Sequence, residues 1–221
     1  KDFDLTTMAH LTCVRHTQAE IHGILDDAAK RGIQNILALR GDPPPGEEWE
    51  QAKGGFEYAS ELVAFLRERG GFGVGVAGFP EGHIDCSEGR DVDWRHLVGK
   101  VNSGADLIIT QMFFDNADYF QLADFLGGQG VAAPLFPGII PVASAAQIKK
   151  FSTMCGATLP EAFASRLDAL GDDAEAVREY GIEYATGQCL ELLERGAPGL
   201  HFYTLNKSKS VLRILHNLGL A

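Results

Sequence analysis

The residues best suited to chemistry in this sequence stand where short apolar runs end. If those runs are parallel strands, their carboxyl ends meet at one edge of a sheet, where α/β proteins bind their ligands. Five of six such runs carry polar groups at this end, which predicts one common site. The groups, in chain order, are His10 and Thr12, Arg40 and Asp42, Glu81 and His83, Thr110 and Gln111, and Tyr203, Asn206 and Lys207.

Arg40-Gly41-Asp42 carries the most specific chemistry of these segments. Glycine lets the backbone approach a ligand closely, and adjacent opposite charges can hold an anion and a cation side by side. A strand-end turn with a local ion pair would have the same residues, so the segment alone does not choose between the two. The long stretch that follows, Pro43–Gly55, is rich in Pro, Gly and Glu, and we predict a mobile flap there.

Other chemistries are disfavoured by position. The run Gly73-x-Gly75-x-x-Gly78 matches a dinucleotide fingerprint in form, but it lies inside a predicted strand and therefore indicates tight packing. His10 and Cys13 are three residues apart on a strand, so they point to opposite faces and cannot share a metal ion. We expect no metal site. Neither a phosphate-binding GxxxxGK[ST] run nor a hydrolase GxSxG elbow occurs.

Composition limits the class of protein. The 221 residues include 19 Lys and Arg against 30 Asp and Glu, a net charge of −11, which argues against nucleic acid and anionic membranes as main partners. Apolar residues make up 45% of the chain, enough for a sizeable core. Four widely spaced cysteines without a CxxC pair favour free thiols in a reducing cytoplasm. The first residue is not Met, so we expect the natural protein to start earlier.

Strand-like and helix-like segments alternate along the chain. Ile21, Ile24, Leu25 and Ala28 form the stripe of an amphipathic helix, and Thr17 with Glu20 makes a capping box at its start. Repeated alternation predicts parallel strands with crossover helices, either as an open doubly wound sheet or as a (β/α)₈ barrel with two βα units absent from its front. The predicted strands are Met8–Val14, Asn35–Arg40, Gly73–Phe79, Asp106–Thr110, Leu135–Pro141 and Leu200–Leu205.

Several ordered blocks of sequence together resemble the methylenetetrahydrofolate reductase family over essentially the whole chain. The family is a (β/α)₈ TIM barrel that holds FAD noncovalently, so the resemblance implies one FAD-binding catalytic domain over residues 1–221, with the first two βα units absent. The blocks are Ala9–Cys13, Leu37–Pro44, Pro80–His83, Ile109–Asp115, Pro137–Val142 and His201–Asn206.

The resemblance implies a ping-pong reductase of one-carbon and methionine metabolism. NADH or NADPH would reduce FAD, and 5,10-methylenetetrahydrofolate would then be reduced to 5-methyltetrahydrofolate. The choice between NADH and NADPH stays open, and the family suggests a homo-oligomer such as a tetramer. Two alternatives remain: a non-catalytic flavin- or folate-binding barrel, and a barrel lyase or methyltransferase without redox chemistry.

The resemblance also assigns roles residue by residue. Asp42 matches an aspartate beside the flavin that stabilises positive charge on the folate, and Gln111 matches a glutamine that hydrogen-bonds both substrates in turn. Phe151 matches an aromatic residue that stacks on them; these three are the expected catalytic residues. The further folate contacts implied are Gln147, Tyr203 and Lys207. The implied FAD contacts are His10, Arg40, Gly41, Asp42, Ala59, Phe79, His83, Asp93, His96 and Lys100.

The sequence departs from the family pattern at three points. Phe79 stands where many members have Tyr, which removes one hydroxyl group from the expected flavin contacts. The stretch Ile84–Asp91 is one residue longer than usual. The family's general acid, a glutamate on its first strand, and a threonine on its second have no counterpart within these 221 residues, so we expect the complete protein to supply them.

Overall fold

The structure, a computed structural model, describes residues 5–43 and 46–221. Positions 44 and 45 of the predicted flap and of the Leu37–Pro44 block lie outside the described residues. The strands are β1 Met8–Thr12, β2 Asn35–Leu39, β3 Gly73–Gly78, β4 Leu107–Met112, β5 Leu135–Ile139 and β6 His201–Phe202. The helices are α1 Gln18–Lys30, α2 Ala59–Arg69, α3 Arg90–Asn102, α4 Asn116–Gly128, α5 Ala145–Cys155, α6 Glu161–Leu170, α7 Ala174–Glu194 and α8 Lys209–Asn217.

All six predicted strands form, and they follow one another in the sheet in chain order, β1-β2-β3-β4-β5-β6. The β1–β2, β2–β3 and β5–β6 pairs are parallel. The predicted α/β fold with parallel strands and crossover helices is therefore confirmed, since sequential order with helical connections is the strand arrangement of βα-repeat folds. The prediction of two further βα units stays a prediction.

The chain divides into two compact units, each with its own apolar core. The first unit comprises Lys1–Ala77 and His96–Ile108. Its helices α1 and α2 bury one apolar face each, and the predicted capping box is present, with Thr17 and Glu20 bonding each other's backbone amides. The fully buried side chains of these two helices are Ile21, Leu25, Leu62, Val63 and Leu66.

The second unit comprises Gly78–Arg95 and Ile109–Ala221. Its core contains one cluster of buried side chains from β4, α5, α6, α7 and the segment after β5: Met112, Phe114, Ile140, Val142, Ile148, Phe163, Leu167 and Val177. Each such side chain, when fully buried, contributes about 1.5–3 kcal/mol of hydrophobic stabilisation.

Strand β6 is shorter than the sequence predicts. It covers His201–Phe202, and the chain turns at Leu205 and Asn206, which adopt left-handed backbone conformations with φ of 48° and 59°. Residues in this region cannot continue a strand. The Tyr203 amide still donates to the Ile139 carbonyl at 2.8 Å, so pairing with β5 continues one residue past β6, and the turn at Leu205 and Asn206 separates Tyr203 from Lys207.

Within the part of the chain that the structure describes, none of the helices combines the length and apolar character needed to span a bilayer.

Candidate functional site

The Arg40-Gly41-Asp42 segment continues directly from β2 in the first unit. The amide of Val14 donates to the Arg40 carbonyl at 2.9 Å, so pairing between the two chain segments extends past the ends of β1 and β2. Gly41 has a φ of +82°, and a Cβ there would stand 2.7 Å from Val14 Cγ1 and 2.8 Å from Thr12 Cβ. Only glycine fits this turn. The next residue, Asp42, is exposed to solvent.

Arg40 lies over an aromatic ring that the sequence analysis did not select. Its guanidinium carbon is 5.5 Å from the centroid of Trp49, within cation–π range. The indole N–H of Trp49 is buried without a hydrogen-bond partner among the described residues. The available sequence signal was a lone tryptophan in an otherwise polar loop. This contact restrains the Arg40 side chain next to the Gly41 turn.

The buried cysteines do not act as nucleophiles here. Cys13 donates its thiol proton to the Arg40 carbonyl at 3.4 Å, and burial raises its pKa. Burial also raises the pKa of Cys189 to about 12. Because the thiolate is the reactive form, both groups are unreactive thiols at neutral pH.

The remaining predicted cofactor residues of the first unit supply hydrogen-bond donors. Lys100 on α3 donates to the Ala77 carbonyl at the end of β3, at 2.5 Å. His96 and His10 are exposed, on α3 and β1 respectively. Ala59 is the first residue of α2, where backbone N–H groups lack intrahelical partners and favour anions.

This donor set fits a dinucleotide cofactor. The side chains of Arg40 and Lys100 and the helix N-terminus at Ala59 are groups of the kind that bind a diphosphate. Gly41 has a packing role, because a Cβ there would clash with Val14 and Thr12 and glycine lets the segment lie against the end of β1.

In the second unit, Phe79 and His83 lie against each other. Their ring centroids are 4.5 Å apart in an edge-on arrangement. The indole N–H of Trp94 donates to the Phe79 carbonyl at 2.9 Å and fixes the backbone at this point. Asp93, the residue before Trp94, lies partly buried in the first turn of α3.

The oxygen and nitrogen of the Gln111 side chain on β4 differ in their hydrogen bonding. Its Oε1 accepts a hydrogen bond from the backbone amide of Met112 at 2.9 Å. No hydrogen bond of its Nε2 to another described residue is found, and the side chain is partly exposed. The carboxamide therefore has two N–H donors available for a ligand, while its oxygen is held by the protein.

Helix α5 carries the two predicted substrate residues Gln147 and Phe151. Ser144 caps the helix by accepting from the Gln147 amide at 3.3 Å, as its sequence predicts. The two residues are four apart and so lie on the same face. Gln147 is exposed, whereas Phe151 packs partly against the apolar cluster of the second unit.

Tyr203 and Lys207 differ in how much of their polar group is available. The Tyr203 hydroxyl donates to the Thr110 carbonyl at 2.8 Å, and burial raises its pKa to about 12. Its proton is thus committed to the backbone, and the ring remains as the part that could meet a substrate. Lys207 is exposed in the turn after Tyr203.

Two further features lie apart from these residues. In the described ranges, no group of three or more His, Cys, Asp or Glu side chains is arranged to hold a metal ion. A groove of about 730 Å³ on helices α6, α7 and α8 is lined by Arg166, Tyr180, Glu183 and Arg213 among others, and none of the predicted site residues lines it.

Comparison with known proteins gives consistent results. The family model described as methylenetetrahydrofolate reductase matches residues 1–219. The chain is 40% identical to "Methylenetetrahydrofolate reductase (NADH) 1" of Zea mays, with 97% of this chain aligned but only 38% of the maize protein's length. It is 37% identical to "5,10-methylenetetrahydrofolate reductase" of Escherichia coli, covering 97% of this chain and 71% of the relative.

Among solved structures, one similar fold belongs to an uncharacterized protein from Clostridium thermocellum that binds two copies of 5-methyl-5,6,7,8-tetrahydrofolic acid. The alignment has a TM-score of 0.54 and 13% identity, and it covers 95% of this chain and 93% of that one. At this identity the similarity shows the fold alone.

Proposed function

Because the chain belongs to the methylenetetrahydrofolate reductase family, we propose that the protein reduces 5,10-methylenetetrahydrofolate to 5-methyltetrahydrofolate. The observation that carries this proposal is the family match over residues 1–219. The chain spans 38% of the maize relative, so the activity of the whole protein is part of the proposal. We take NADH as the reductant to test first, since the maize relative is named for it.

FAD is the cofactor that the donor set of the first unit supports. Arg40, Lys100 and the N-terminus of α2 would bind its diphosphate, with His10 and His96 as further donors. In the second unit, Phe79, His83 and Asp93 are the residues proposed to contact it. Bound FAD would supply the two-electron chemistry that carries hydride from the nicotinamide to the folate.

Asp42 is proposed to stabilise the charge that develops on the folate. Opening the methylene bridge creates a cationic iminium, and a nearby carboxylate lowers the energy of that state. The support is positional: Asp42 directly follows the Gly41 turn after β2, and it is exposed to solvent, where a ligand can reach it.

Substrate binding falls to residues of the second unit. Gln111 would donate its two N–H groups to folate and nicotinamide in turn, because its oxygen is already held by Met112. Phe151 would stack on either substrate, and Gln147 on the same helix face would add a polar contact. The exposed Lys207 would attract the anionic glutamate tail of the folate.

The experiment separates the two halves of the reaction. The full protein should show a flavin absorbance band that NADH bleaches under anaerobic conditions and that methylenetetrahydrofolate restores. Asp42→Asn should slow the folate step more than the nicotinamide step, and the exposed Asp172→Asn, between α6 and α7, should change neither. Absence of the flavin band would refute the proposal, and equal slowing of both steps would refute the role of Asp42.

A further inference from the structure

The backbone around Gln111 is held by side chains that are distant in sequence. Tyr203, Gln188 and Tyr184 each donate a hydrogen bond to a carbonyl of the segment that runs from Thr110 to Phe114, and they are 70 to 93 residues away from those carbonyls. Gln111 lies between the first of these attachment points and the other two.

Tyr203 acts on the peptide group that begins Gln111. Its hydroxyl donates to the Thr110 carbonyl at 2.8 Å, and that carbonyl belongs to the peptide joining Thr110 to Gln111. The ring reaches the carbonyl by passing Gly138 of β5: a Cβ on Gly138 would stand 2.8 Å from Tyr203 Cε2 and 2.2 Å from the Thr110 oxygen. The hydrogen bond thus exists only because position 138 has no side chain.

Thr110 is completely buried, so its polar groups require protein partners. Its Oγ1 accepts a hydrogen bond from the Gly138 amide at 2.8 Å, and its carbonyl accepts the one from Tyr203. A buried carbonyl left without a partner costs about 1–3 kcal/mol. The hydrogen bond from Tyr203 therefore favours the one orientation of the Thr110–Gln111 peptide in which it can form.

The other side of Gln111 is held as well. Gln188 Nε2 donates to the Phe113 carbonyl at 3.0 Å, and the Tyr184 hydroxyl donates to the Phe114 carbonyl at 2.7 Å. Between the two attachments, the Met112 amide holds the oxygen of the Gln111 side chain. The direction of the Gln111 N–H donors thus follows from the orientation of the backbone on both sides of it.

We propose that Tyr203 is a positioning residue: through the Thr110–Gln111 peptide, its hydroxyl sets the orientation in which the Gln111 carboxamide meets a substrate. This rests on the proposed function, in which Gln111 hydrogen-bonds folate and nicotinamide. It differs from a direct contact between Tyr203 and folate, since the hydroxyl proton is used inside the protein.

The test combines Tyr203→Phe with Gln111→Ala in the full protein. Tyr203→Phe removes one hydroxyl group, and we expect kcat for folate reduction to fall about fivefold to tenfold while KM changes less. In the Gln111→Ala background the same substitution should have no further effect, because two residues that act through one group are not additive. A direct contact of Tyr203 with the substrate would instead give effects that multiply.

Tyr119→Phe is the matched control. The Tyr119 hydroxyl also donates to a strand carbonyl, that of Leu135, at the same distance of 2.8 Å, although Tyr119 is buried and Tyr203 only partly buried. Both substitutions should lower thermal stability similarly, but only Tyr203→Phe should lower kcat. Equal kcat losses in both variants would mean that the loss is one of general stability, and would overturn the inference.

A spectroscopic measurement is independent of turnover. The side-chain amide signals of Gln111, identified in ¹H–¹⁵N spectra by their loss in Gln111→Ala, should shift in Tyr203→Phe and stay in place in Tyr119→Phe. Unchanged signals in Tyr203→Phe would refute the positioning role alone. A wild-type protein that forms no 5-methyltetrahydrofolate would refute the proposed function, and this inference with it.

Discussion

The substitution Gly138→Ala tests the packing that connects β4, β5 and the turn after β6. The new Cβ would stand 2.2 Å from the Thr110 carbonyl oxygen and 2.8 Å from Tyr203 Cε2, whereas ordinary contacts begin near 3.4 Å. Relief requires the backbone of β5 to move away from β4 and the tyrosine ring to move aside. The hydrogen bonds from Gly138 and Tyr203 to Thr110 would both be lost or stretched.

The expected cost follows from these contacts. Overpacking in a well-packed core costs about 1–3 kcal/mol, and each hydrogen bond contributes about 1 kcal/mol. We therefore expect Gly138→Ala to lower the free energy of unfolding by about 2–4 kcal/mol. For a protein of this size that corresponds to a fall in Tm of about 5–15 °C.

Gly187→Ala is the control for this substitution. Gly187 lies inside α7 of the same unit, and a Cβ there would have no neighbour within 4 Å. Alanine has the higher helix propensity, by about 1 kcal/mol, so this variant should be more stable than the wild type. Calorimetry of both variants at one scan rate gives the comparison. A Gly138→Ala protein with wild-type Tm would refute the packing described for Thr110, Gly138 and Tyr203.

Two further predictions concern stability. Burial raises the pKa of three tyrosines from 10.0 to about 12: Tyr119, Tyr184 and Tyr203. The unfolded chain loses these protons at lower pH than the folded one, so stability should fall as pH rises above 10, with tyrosinate absorbance increasing together with loss of helical circular dichroism. Arg67→Ala should lower the free energy of unfolding by about 1 kcal/mol, seen as a lower urea midpoint, because Arg67 contacts the Gly104 carbonyl and Asp106 in the first unit. The control Arg166→Ala should leave the midpoint unchanged. Titration of Tyr119, Tyr184 and Tyr203 before unfolding, or equal midpoints for the two arginine variants, would contradict these predictions.

The sequence predicts the repeating elements well because their signals are local. The spacing of Ile21, Ile24 and Leu25 predicts one buried helix face; Ile21 and Leu25 are fully buried, whereas Ile24 is 40% exposed and lies at the edge of that face. Thr17 and Ser144 cap the helices that they were predicted to begin. The exception is the last strand, which the sequence predicts to reach Leu205, a residue that instead adopts a left-handed conformation that neither its type nor its neighbours predict.

The candidate site is predictable in part. Arg40-Gly41-Asp42 could be selected from residue types alone, and Gly41 does occupy a turn with positive φ that closes on Val14. Trp49 could not be selected, because its contact with Arg40 depends on the path of a long loop. The bond from Tyr203 to Thr110 joins residues 93 positions apart, and periodicity over a local window carries no information about such contacts.

The most direct measurement of the central claim is turnover by the full protein supplied with FAD, NADH and 5,10-methylenetetrahydrofolate in the absence of oxygen. The account predicts that NADH oxidation and 5-methyltetrahydrofolate formation occur in equal amounts, and that both stop when FAD is removed and resume when it is restored. NADH oxidation without the methylated folate, or product formation that is indifferent to FAD, would contradict it.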